Sequence, residues 1–163
     1  KSLQLFNFDE DSIAAFVSPA VVFEGSQLAS VNGVYNAILV RGDSVGDVCF
    51  YGRGAGKMPT ASAVVADMVD AAKHTERRKI FGWGAGSEDY VIVYKDNVVM
   101  KFYVRARATE ADAKKALKNV KFLRRYGQPS NEIAFITDEM TENRLREKLG
   151  AMDVINIIKV TNY

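Results

Sequence analysis

One stretch concentrates the residue types that could meet a ligand: Gly52-Arg53-Gly54-Ala55-Gly56-Lys57-Met58-Pro59, followed directly by Thr60-Ala61-Ser62-Ala63-Val64-Val65-Ala66-Asp67. Glycine lets the backbone approach a ligand closely, and a helix N-terminus offers unpaired N–H groups at its positive dipole end. Contact with a phosphorylated cofactor is one reading. A tight strand-to-helix turn uses the same residues, and spacing alone does not separate the two. The loop departs from the P-loop pattern, because Tyr51 stands where the first glycine belongs, and its G-x-G-x-G spacing departs from G-x-G-x-x-G. Gly82-Trp83-Gly84-Ala85-Gly86 fits neither pattern and reads as a linker.

Other chemistries are poorly supplied. His74 and Cys49 are the only residues of their types, so neither a zinc site nor a Ser-His-Asp or Cys-His arrangement is expected. A lone cysteine excludes an intramolecular disulfide framework and fits a reducing cytoplasm; in the apolar run Val48-Cys49-Phe50-Tyr51 it reads as a small buried hydrophobe. Lys114, Lys115, Lys118, Lys121, Arg124 and Arg125 form a basic run beside Glu110 and Asp112, the pattern of a solvated helix face. A net charge of +2 over 163 residues implies neither a nucleic-acid nor a membrane partner. No apolar run reaches the roughly 18 residues of a membrane helix.

The elements that would position the loop follow from periodicity. Strands are expected over residues 2–8, 13–17 and 20–23, with a turn at Asp9-Glu10-Asp11 and Pro19 at an edge or kink. Asn32-Gly33 signals a turn before a strand over 34–41, and the polar stretch 42–47 leads to a partner over 48–51. Together these predict a partial, mostly antiparallel sheet with much of its surface covered. Pro59 suits a first helical turn, and Ala61, Val64, Val65, Met68, Val69 and Ala72 form one apolar stripe. After a connector over 75–89, strands over 90–94 and 98–107 surround a turn at 95–97. A helix over 110–118 capped by Thr109, a hairpin of 120–125 with 133–137, a helix over 139–149 ended by Gly150 and a strand over 154–160 complete the chain. From Val98 this is strand, helix, strand, strand, helix, strand, so the fold class is α+β, ending in a βαββαβ sandwich.

The block Leu28-Ala29-Ser30-Val31-Asn32-Gly33-Val34-Tyr35-Asn36-Ala37-Ile38-Leu39-Val40 closely resembles the homoserine dehydrogenase family, as does Tyr51 to Gly56 running on through Pro59 to Asp67. The two blocks occur in the family's order and separation, and the likeness covers roughly residues 1–75. It implies the later strands of a substrate and dimerisation domain (1–79), a linker (80–87) and NAD or NADP as cofactor of an intact enzyme that interconverts aspartate semialdehyde and homoserine. The contacting glycine carries over to Gly56, with Ala55 and Thr60 as neighbours. The catalytic residues and the dinucleotide fingerprint would lie upstream of Lys1, so this chain is expected to be non-catalytic and to hold no cofactor alone. It opens at Lys1-Ser2-Leu3 inside an expected strand, as a segment of a longer protein would. Residues 88–163 resemble an ACT-like regulatory domain, although Arg107 to Asp112 lacks the glycine and proline of an effector loop. The expected partners are a second copy, in a homodimer, and the N-terminal dinucleotide domain. The rival reading is a stand-alone ACT-like regulatory or dimerisation module without enzymatic activity.

Overall fold

A computed structural model describes residues 2–9, 12–54, 56–76 and 94–161, with side chains from residue 12 onward. Ala55, the Glu10-Asp11 part of the first turn, the 80–87 linker and the expected strand over 90–93 lie outside the described residues. The chain is α+β and divides into two compact units, one of Lys1–Val22 with Gly86–Asn162 and one of Phe23–Ala85. These units cut the chain differently from the expected 1–79 and 88–163. Strand β3 (Ala20–Val22) pairs with the last strand, and the inward residues of β2 (Ser12–Ser18) join the later core.

In the first unit, β1 (Ser2–Asp9) and β2 form an antiparallel hairpin. A single helical turn, α2 (Tyr94–Asn97), stands where a strand end and a loop were expected. It precedes β6 (Lys101–Arg107), α3 (Glu110–Ala116), β7 (Val120–Leu123), β8 (Ile133–Thr137), α4 (Glu142–Leu149) and β9 (Asp153–Thr161). The sheet order is β3-β9-β6-β8-β7, antiparallel throughout except for the parallel pair β3–β9. Its last four strands and two helices form a split βαβ arrangement. Pro19 precedes the edge strand β3, where the lost N–H donor is tolerated.

Strand alternation puts Phe102, Val104 and Ala106 on one face of β6, all fully buried. They pack with Phe135, with Ala113 and Leu117 at α3, and with Leu145 and Leu149 of α4. Helix α3 starts on a reciprocal box in which Thr109 Oγ1 accepts from Asp112 N–H and Asp112 Oδ2 accepts from Thr109 N–H. It stops at Ala116 instead of Lys118, because Leu117 takes an extended backbone with ψ 129°. Helix α4 starts at Glu142, not Glu139. Met140 exchanges backbone hydrogen bonds with Met100, both 3.0 Å, which holds that stretch out of the helix, and Thr141 caps it instead.

The second unit holds a short 3-10 turn (Gln27–Ser30) capped by Ser26, the hairpin β4 (Tyr35–Gly42) and β5 (Gly46–Arg53), and helix α1 (Lys57–Lys73). The Asn32-Gly33 turn forms as expected, with Gly33 at φ 64° and Tyr35 N–H donating to Asn32 O. The next turn is tighter than the polar stretch 42–47. The ladder runs on to Gly42↔Gly46, and Arg41 grips Asp47 with two hydrogen bonds of 2.6 and 2.7 Å. The single early sheet expected from the sequence is instead two separate hairpins, with β3 in a third sheet. Nor is β4–β5 well covered: Ile38 and Phe50, directly opposed, are 65% and 62% exposed.

Candidate functional site

The glycine loop lies where β5 hands over to α1, and the structure gives its glycines different work. A Cβ on Gly54 would meet the side-chain amide of Asn36 on β4, an exposed end that can turn aside. Gly56 sits at φ 119° and ψ 153°, a conformation that residues with a Cβ rarely adopt. Gly54 was not singled out from the sequence. Its signal is geometric, arising only once β4 and β5 pair.

Gly56 is also the N-cap of α1, and no side chain caps the helix. Its carbonyl accepts the Thr60 N–H at 3.1 Å, the first bond of the helical ladder. The preceding first-turn N–H groups therefore have no intrahelical acceptor, the property that suits such a terminus to an anion. Among the described residues beyond its chain neighbours, the only atoms within 4 Å of a Cβ built on Gly56 belong to the Pro59 ring. Thr60 lies exposed on the same first turn. Gly56 and Thr60 are neighbours across the first turn of α1, while Ala55 lies outside the described residues. These features suit an anion met by backbone groups.

Around the loop, Tyr35 and Tyr51 stack at 5.0 Å, and the Arg53 guanidinium lies 5.4 Å above the Tyr35 ring. Helix α1 buries no side chain: the stripe read from the sequence is exposed, with Val65 at 56% and Met68 at 66%. His74 ends the helix, its Nδ1 lying 3.1 Å from the Asp70 backbone carbonyl, which is a capping contact, and 3.0 Å from the Asp70 carboxylate. Cys49 is half-buried, less enclosed than its apolar run implied. Among the described residues no group of three or more His, Cys, Asp or Glu could hold a metal ion. No helix among them is long and apolar enough to cross a membrane.

In the first unit an open cleft of about 750 Å³ lies between the start of α3 and the β7–β8 loop, lined in part by Arg107, Thr109, Glu110, Arg124 and Glu132. Its charges are already matched. Arg124 meets Glu110 at 2.8 Å, Arg105 meets Glu132 at 3.3 Å, and Arg107 meets Asp153 at 3.1 Å. The Arg124–Glu110 pair ties the end of the basic run to one of its acidic neighbours.

Residues 3–69 match the family model "Homoserine dehydrogenase". The homoserine dehydrogenase of Neisseria gonorrhoeae is 30% identical over 161 residues, a match covering 88% of this chain and 37% of that protein. The Synechocystis homoserine dehydrogenase is 53% identical over 62 residues, covering 38% and 14%. Among solved structures, homoserine dehydrogenase from Thiobacillus denitrificans shares the fold with a TM-score of 0.73 at 24% identity, over 98% of this chain and 43% of that one. A Staphylococcus aureus homoserine dehydrogenase gives a TM-score of 0.65 at 25% identity, over 99% and 42%. The chain is a relative of the homoserine dehydrogenases, which are oxidoreductases, and it spans less than half the length of each of these relatives.

Proposed function

We propose that this chain forms the C-terminal part of an NAD(P)-dependent homoserine dehydrogenase acting between aspartate semialdehyde and homoserine, in threonine and methionine biosynthesis in the cytoplasm. One observation carries the reading. The stretch matched to the family includes the loop in which Gly56 opens α1 at φ 119° with no side-chain cap. In this reading the cofactor supplies the hydride chemistry, Gly56 and Ala55 contribute backbone amides and room for close approach, and Thr60, whose N–H is taken by the Gly56 carbonyl, contributes its hydroxyl. The acid–base groups come from sequence outside these residues, so the chain alone does not turn over substrate. A dinucleotide domain of the same enzyme covers the apolar stripe of α1, and residues 88–163 act as an ACT-like regulatory module in a homodimer.

A second reading makes the first unit the working part, a regulatory or pairing module without enzymatic activity. The observation in its favour is that, among the described residues, the buried hydrophobic core lies in that unit. Homoserine-dependent NAD(P)+ reduction separates the two. The intact parent is expected to be active and the purified chain inactive, with Gly56→Ala in the parent raising KM for the cofactor. An inactive parent would favour the module, and an active isolated chain would overturn the division of labour.

A further inference from the structure

Lys159 belongs to β9 but is only 9% exposed. Its Nζ lies 5.1 Å from the Phe16 ring and 4.9 Å from the Tyr94 ring, and those two rings stack on each other at 4.5 Å. On its other side the ammonium meets Glu142 Oε2 at 3.2 Å. Glu142, itself 4% exposed, also accepts from Arg146 at 2.9 and 2.7 Å. Burial alone would raise the Glu142 carboxyl, but the hydrogen bonds and charges of Arg146 and Lys159 outweigh it and hold it below its ordinary value. Four segments therefore meet at one charge: β2, the turn α2, helix α4 and strand β9.

Phe16 lies inside the stretch matched to the family, and the other members lie beyond it. A surface salt bridge would tie these segments together only weakly. A buried ammonium is different, because removing either its counter-charge or its ring faces leaves a desolvated ion without compensation. Such a group has a narrow range of acceptable positions. Moving α4 or β9 moves the ammonium, and the rings of β2 and α2 must follow or lose it.

We propose that Lys159, gripped by Phe16, Tyr94 and Glu142, is a conformational latch that makes β2 and α2 move as one body with α4 and β9. A shift in the C-terminal module then reaches the family-matched segment through β2 as well as through the chain. Ala14 of β2 adds an apolar attachment to the same core.

Hydrogen exchange on the full chain, within its intact parent, tests the latch. Lys159→Met keeps the aliphatic stem and removes the charge. Residues 12–18 and 94–97 are expected to exchange at least tenfold faster, with residues 133–137 of β8, an interior strand of the sheet, changing less than twofold. Glu142→Gln leaves the rings and the lysine in place and removes only the counter-charge, and it is expected to loosen residues 12–18 in the same way. Unchanged exchange at residues 12–18 in both variants would overturn the proposal. So would uniform loosening of residues 12–18 and 133–137, which would mean that the cluster is ordinary core. If Lys159→Met does not fold, Glu142→Gln decides on the same criteria.

Discussion

Thr137 Oγ1 accepts the backbone N–H of Phe102 at 3.1 Å and donates to the carbonyl of Asp138 at 2.7 Å, so one hydroxyl joins β6 to the end of β8. Thr137 is 3% exposed and Phe102 fully buried, so water cannot replace these bonds. Thr137→Val keeps the shape and strands a buried N–H, with an expected loss of about 1–3 kcal/mol. Thr137→Ser should recover most of it. Denaturant midpoints at constant m-value measure the difference, and a valine variant as stable as the parent would remove the hydroxyl from the account.

The start of α3 should be sensitive to acid. The Thr109 hydroxyl first, then the Thr109 backbone N–H, hold the Asp112 carboxyl below its ordinary value. A carboxyl depressed by folding stabilises the folded state above its unfolded pKa, and that contribution fades as pH falls through the folded pKa. The stability gap between wild type and Asp112→Ala is therefore expected at pH 7 and should shrink below about pH 4. Thr109→Ala should cost about 0.5–2 kcal/mol at pH 7 by loss of the cap.

Gly56 carries two demands that its replacement would mix. Any residue with a Cβ at φ 119° adds strain on the order of 1–3 kcal/mol, so Gly56→Val should lower the melting temperature as well as cofactor use. Thr60→Val separates the effects, because an exposed hydroxyl contributes within about 0.5 kcal/mol to folding. In the intact parent this variant should melt like wild type while KM for NAD(P) rises several-fold. Equal KM values would take Thr60 out of the site.

Threonine should bind the C-terminal module weakly or not at all. No glycine between Arg107 and Asp112 lets backbone N–H groups close around a carboxylate, and the Arg124 guanidinium in that cleft already holds Glu110 at 2.8 Å. Calorimetry is expected to show no saturable heat at millimolar threonine. A tight isotherm would mean that the loop is supplemented from elsewhere.

The exposed stripe of α1 should drive association of the isolated chain. Met58, Val65 and Met68 stand 74%, 56% and 66% exposed on one helix, a larger display of apolar surface than a monomer ordinarily keeps. Sedimentation should show a dimer at high micromolar concentration, and Met68→Glu should shift it toward monomer. A wild-type monomer at that concentration would count against the stripe as a contact surface.

The sequence carried the local elements well and their partners poorly. Alternation in β6 and the Thr109 signal were legible, because each needs only neighbours a few residues away. The start of α4 was misread by three residues, since the Met100–Met140 bridge that excludes Glu139 spans 40 residues and leaves no local trace. Local composition makes Tyr94 a strand end and Lys95-Asp96-Asn97 a turn, whereas the helical turn Tyr94–Asn97 has its first residue stacked on the distant Phe16. At the site, Gly56 emerged from its resemblance, with spacing leaving its role open. Gly54 did not emerge, because its neighbour Asn36 lies on another strand.

The parallel pairing of β3 with β9 reaches across the chain, with Thr161 Oγ1 bonding to Val21 O at 3.3 Å over 140 positions. During synthesis the segment 20–22 leaves the ribosome long before residues 153–161 exist, and at about 5–20 residues per second that interval lasts roughly 7–30 s. Through that time β3 has no strand to pair with, and β6 lacks one of its two neighbours. The βαββ portion can condense early around Phe102 and Phe135, but its edge can close only after the last strand is made. Folding of the first unit is thus timed by its final nine residues, and a nascent chain stalled before Asp153 should expose the β6 edge to chaperones or to other chains.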